Sequence, residues 1–172
     1  MTKISKRTAT SLALCAPLIA ACAAPTPLPE NDPRIAKAIE AFEAGCMDTA
    51  PGFAGVKEIW SAQGITQIKE NGTNLPHDIF GMVTLKGDCG VGIKGEARKA
   101  LGRELTASIK RKGIAVIKEA RDHPRFSYAS IIDYRGQKMI VGVSARPISN
   151  FGFWSYLALI PDVPEGEDLT EK

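Results

Sequence analysis

The chain has 172 residues, with 22 Lys and Arg against 19 Asp and Glu. Three of the basic residues and none of the acids lie in the first 21 positions, so the other 151 residues carry 19 of each sign, which excludes general electrostatic attraction to a polyanion. That length suffices for one substantial core and requires no second domain.

Lys3, Lys6 and Arg7 precede ten apolar positions, Leu12 to Ala21, and then Cys22. A basic leader and a short apolar run ending in small residues describe a secretory signal peptide. The run is too short to span a bilayer, which takes about 20 apolar residues. The residues Leu18-Ile19-Ala20-Ala21 before Cys22 resemble the bacterial lipobox, which departs here only in having Ile19 where Leu is usual. That resemblance covers residues 1–22. It implies cleavage before Cys22, diacylglyceryl on its thiol and an acylated (palmitate-type) amino terminus. It also implies a lipoprotein of the cell envelope, facing the periplasm at the outer membrane. Ala21-Cys22-Ala23 is also an A-x-A site, which would release a soluble periplasmic protein. Export removes the opportunity to meet nucleic acid. The signal and the cysteine layout together are similar to those of small Gram-negative envelope lipoproteins, with no named family.

Residues 22–33 contain four prolines and no periodic apolar pattern, so they read as the lipidated cysteine and an extended tether. The globular domain is expected over residues 34–161, and an acidic mobile tail over residues 162–172. Asp32-Pro33 opens a helix to about Met47, since Asp accepts free N–H groups of the first turn and Pro at the first position has none to satisfy. Ile35, Ala38, Ile39, Phe42 and Cys46 form its apolar stripe. A shorter helix is expected from Pro51 to Gln63, with Phe53, Val56, Ile59 and Trp60 on one face. Ile65 to Glu70 is a weak strand. Ile79–Lys86 and Cys89–Ile93 make a hairpin turning at Gly87-Asp88. Once Cys15 leaves with the leader and Cys22 is acylated, Cys46 and Cys89 remain, both on inward-facing positions, and an oxidising compartment makes them a disulfide.

Residues 95–112 are the clearest amphipathic helix, with Ala97, Leu101, Leu105 and Ile109 spaced by four. Ile114–Glu119 fits a strand or an extension of that helix. Phe126–Asp133, Lys138–Ala145 and Phe153–Ile160 read as an antiparallel meander whose last strand, apolar on both faces, lies inside. The fold class is therefore α+β: one domain with an antiparallel sheet of five to six strands packed by two to three helices.

Residues 94–125 hold ten basic residues against four acids. Arg98, Lys99, Arg103, Lys110 and Arg111 are candidate contacts for anionic lipid or another envelope partner, set against the plainer reading of a solvated helix face. Gly90-x-Gly92-x-x-Gly95 with Glu119 outlines a dinucleotide fingerprint. The intervening Lys86-Gly87-Asp88-Cys89 turn argues against it, because a Rossmann strand runs straight into the first glycine. A hydrolase would need His77 or His123, and no G-x-S-x-G elbow accompanies them. Phe151, Phe153 and Trp154 suit core packing better than a ligand groove. No motif asks for a cofactor or metal. The expected function is non-catalytic binding or a structural role in the envelope, with a periplasmic hydrolase of scattered site residues as the alternative.

Overall fold

The computed structural model describes residues 25–65, 68–69, 78–84, 87–120, 123–148 and 152–162. The first helix, α1 (Pro33–Ala41), starts where Asp32 accepts a hydrogen bond from the Arg34 backbone N–H at 3.0 Å. It widens into a π-helical segment, Phe42–Met47. The cause is visible in Trp60 on α2 (Val56–Ala62), whose indole N–H donates to the Ala41 carbonyl at 2.8 Å. The Trp60 ring lies between Gly45 and Gly81, at both of which a Cβ would overlap it. A bonded insertion of this kind is a usual origin of a π-bulge.

The strands are β1 (Ile68–Lys69), β2 (Ile79–Val83), β3 (Cys89–Lys94), β4 (Ala115–Glu119), β5 (Tyr128–Tyr134), β6 (Gln137–Ile148) and β7 (Gly152–Pro161). They form one sheet in the order β1-β2-β3-β7-β6-β5-β4. Six of them, β2 to β7, are antiparallel throughout, and the two-residue β1 adds alongside β2 in parallel. After β3 the chain crosses through α3 (Arg98–Arg111) to the opposite edge, and the meander β4-β5-β6-β7 returns to the middle. The β2–β3 hairpin turns at Gly87, and β5–β6 turns at Arg135-Gly136, all three with positive φ. A two-residue hairpin turn requires that conformation to match strand twist.

The helices lie on one face of the sheet. Ile35, Ala38, Phe42 and Cys46 from the first helical run meet Val91, Leu157, Leu159, Val141 and Ile132 from the strands, all at most 3% exposed. Cys46 and Cys89 are bonded, with Cα atoms 5.5 Å apart and neither residue accessible to solvent, which ties the end of the helical run to the start of β3. On the other face Phe80 packs edge-on against Trp154 and Tyr156, with ring centroids 5.3 and 5.7 Å away. Phe126 covers Gly142. Trp154 is thus a core residue and Phe153 is half-buried, while Phe151 lies outside the described residues.

The start of the folded unit lies before the boundary that the sequence suggests. Residues 22–33 were expected to form an extended tether, yet Pro27 forms a parallel bridge with Glu96 and the Leu28 N–H donates to the Glu96 carbonyl at 2.7 Å. The Leu28 side chain occupies the space that a Cβ on Gly95 would need. The folded unit therefore reaches back to Pro27, because a single leucine in a Pro-rich stretch finds a glycine-sized recess. Of the two readings open for Ile114–Glu119, strand is the one formed: β4 (Ala115–Glu119) is an edge strand whose five residues are all exposed and whose register shifts at a bulge between Val116 and Lys118. A bulge and a lysine are common guards of an exposed edge.

Candidate functional site

The helix α3 organises the surface that the sequence singles out. It begins at Arg98, three residues after the Gly95 start expected from the pattern, because the preceding backbone is held elsewhere. Ser155 of β7, fully buried, accepts a hydrogen bond from the Ala97 N–H and donates to the Gly95 carbonyl, both at 2.8 Å. Glu96, 7% exposed, turns back so that Oε1 accepts from both the Arg98 backbone N–H at 3.0 Å and its Nε at 2.9 Å. Glu96 lies just before the N-cap Ala97, so its carboxylate also complements the partial positive charge of the helix N-terminus.

The five basic residues divide into two groups around this helix. Arg98 pairs with Glu96 at 2.9 Å, Arg103 with Glu30 at 3.1 Å and Arg111 with Glu43 at 2.7 Å. The Glu30 hydrogen bond raises the Arg103 pKa further above its ordinary value. Lys112, just past the helix, pairs with Asp48 at 2.8 Å. Lys99 and Lys110, both exposed, have no ion pair among the described residues. The flank of α3 facing α1 is acidic, with Glu30, Glu40, Glu43 and Glu104 around a shared cleft. Lys99, Thr106 and Lys110, spaced by seven and four, lie together on the other flank.

That second flank borders open space. α3 packs chiefly over β6 and β7, leaving β4 exposed along its length and Tyr128 at the start of β5 exposed, while Ile132 further along β5 is buried in the core. Between α3 and these two strands runs a groove of about 770 Å³ with Leu105, Ile109, Val116 and Val141 among its walls and Lys110 at its rim. A further cavity of about 540 Å³ continues past the start of α3, where the docked arm at Pro27 and Leu28, Glu96 and Lys99 line it. Ser127 and Tyr128 border both. The Tyr128 ring stands 3.2 Å from where a Gly102 Cβ would be, so the absent side chain lets the ring lie against the helix.

The other candidates have structural employment. Gly90 and Gly92 sit in the antiparallel β3, where a Cβ would strike the Leu157 carbonyl and the Phe80 ring respectively, and Gly95 is covered by Leu28. The space beside each of these glycines is filled from within the fold. His123 accepts the Arg125 N–H on Nδ1 at 3.2 Å and packs on Phe126 with centroids 5.0 Å apart. Burial, with the nearby Arg125 charge, lowers its pKa below the ordinary histidine value. It braces a turn. His77 lies outside the described residues, as does Cys22.

Sequence reasoning passed over Leu28, Glu96, Ser155 and Tyr128. One signal was present: Ser155 is the sole polar aliphatic side chain in the apolar run 153–160, and a buried hydroxyl implies a partner. In comparisons with known proteins, no family model matches the chain, and no curated protein or solved structure matches it.

Proposed function

We propose that this chain is a lipid-anchored protein of the bacterial cell envelope, held through Cys22 and facing the periplasm at the outer membrane, with a non-catalytic binding or structural role. The observation that carries the reading is the basic leader and apolar run ending in Leu18-Ile19-Ala20-Ala21-Cys22. The buried Cys46–Cys89 disulfide supports it, since such bonds persist in oxidising compartments.

Two acyl chains or more give lasting attachment where a single chain does not. Because Leu28 is docked, six steps of chain separate it from Cys22, a reach of at most about 20 Å at roughly 3.3–3.6 Å per residue. An anchor at Cys22 would thus hold the Glu96–Lys99–Tyr128 end of the domain near the head groups. Lys99 there, and Arg103 after exchange of its exposed ion pair with Glu30, would meet anionic lipid. Such exchange is cheap, because exposed pairs are worth about 0–1 kcal/mol.

The test is mass spectrometry of the chain extracted from membranes. The expected species begins at Cys22 and carries diacylglyceryl and an N-acyl group. An unmodified Cys22, or a soluble product beginning at Ala24, would overturn the proposal.

A further inference from the structure

The groove beside α3 has features that a solvated helix face does not need. Its floor is apolar, from Leu105 and Ile109 on the helix and Val141 on β6, and its far wall includes Val116, an exposed hydrophobic residue at 48%. Its volume of about 770 Å³ lies within the range of about 300–1,000 Å³ usual for small-molecule sites. The edge strand β4 stays exposed because α3 packs chiefly over β6 and β7. Leu105, Ile109 and Val141 are at most 6% exposed, so the apolar surface left in water here is chiefly that of Val116 and Tyr128; covering it gains roughly 25 cal/mol per Å², which favours an occupant with an apolar body.

Charge selects among such occupants. The arginines of α3 pair with carboxylates on the opposite flank or just before the helix, whereas Lys99 and Lys110 have no ion pair among the described residues. Lys110 lines the large cavity and Lys99 the adjoining one. Glu119, a carboxylate on the groove wall, already has an interaction partner of its own. Eleven positions of helix, about 16 Å of rise, separate the two lysines, so Lys110 serves the groove itself and Lys99 the adjoining, more polar cavity beyond Ser127 and Tyr128. We infer that the groove binds an anionic amphiphile: a single acyl chain laid along Leu105, Ile109 and Val116, with its carboxylate or phosphate head at Lys110. The site is made by residues 99–141 and is independent of the fate of Cys22.

The probe is palmitic acid bearing a diazirine, with its methyl ester as the uncharged control, photo-crosslinked to the full chain with and without Cys22→Ser. Labelled peptides are located by mass spectrometry. The acid is expected to label peptides from residues 99–119 and 127–141, and Lys110→Glu is expected to reduce that labelling by up to about five-fold, the range of a single exposed ion pair. Thr106→Trp places an indole in the slot from an exposed position and is expected to abolish labelling by acid and ester alike, with melting unchanged. Labelling that persists in the Cys22→Ser chain supports the groove whatever becomes of the anchor. Equal labelling by acid and ester, label spread over the surface, or labelling indifferent to both Lys110→Glu and Thr106→Trp would overturn the inference.

Discussion

Replacing Cys46 and Cys89 together with alanine removes the covalent tie between the helical lead-in and β3. The two residues are 43 apart in sequence, and closing a loop of that length restrains the unfolded chain by about 4 kcal/mol in the chain-entropy account. Both sulfurs are fully buried, so their loss adds a cavity cost of about 1 kcal/mol. Against a total stability of about 5–15 kcal/mol for a domain, the variant should be severely weakened. Its melting temperature should fall by about 10–20 °C, at roughly 2–4 °C per kcal/mol for a chain of this size. Urea unfolding followed by the emission of Trp60 and Trp154, both fully buried in the native state, measures the change directly. The urea slope separates causes: an unfolded chain freed of the loop exposes more surface, so the slope should rise in the variant. A midpoint within about 1 kcal/mol of the parent, or a large loss with an unchanged slope, would refute the argument from unfolded-state restraint.

Ser155→Ala strands the Ala97 N–H and the Gly95 carbonyl and should cost about 2–4 kcal/mol at about 1–3 per unsatisfied buried group, read as a shifted urea midpoint with faster amide exchange at Ala97. Trp60→Phe keeps a ring between Gly45 and Gly81 but removes the indole donor to the Ala41 carbonyl; a loss of about 0.5–1.5 kcal/mol is expected. Gly81→Ala, which drives a methyl into that ring, should be far worse than Gly52→Ala, which meets nothing within 4 Å, and thermal melts of the two compare them. Because burial lowers the His123 pKa in the folded state, the unfolded state binds more protons between the folded value and about 6.5. Stability should therefore rise with pH through that window and be lost below it, and His123→Gln should remove that part of the slope in urea midpoints taken between pH 5 and 7.5.

Local periodicity alone determined much of this protein. The stripe Ile35, Ala38, Ile39, Phe42 and Cys46, the stripe Ala97, Leu101, Leu105 and Ile109, and the turns at Gly87 and Gly136 are where the residue spacings place them. Those patterns repeat within a few residues, so the chain's own geometry suffices to read them. The pairing of Cys46 with Cys89 was legible for a related reason, since a helical stripe and a strand alternation each place one of them facing inward. What periodicity left open depended on distant neighbours. Val116 and Ile117 fit helix or strand equally, and only pairing with β5 made them an exposed edge. Leu28 has no periodic companions, so its docking appeared only when Gly95 presented a recess. The five basic residues looked alike in one dimension. The carboxylates of Glu30, Glu43 and Glu96 neutralise three of them and leave Lys99 and Lys110 beside the groove, because a charge is set by what lies within a few ångströms of it, and in this fold those neighbours come from elements up to 73 positions away.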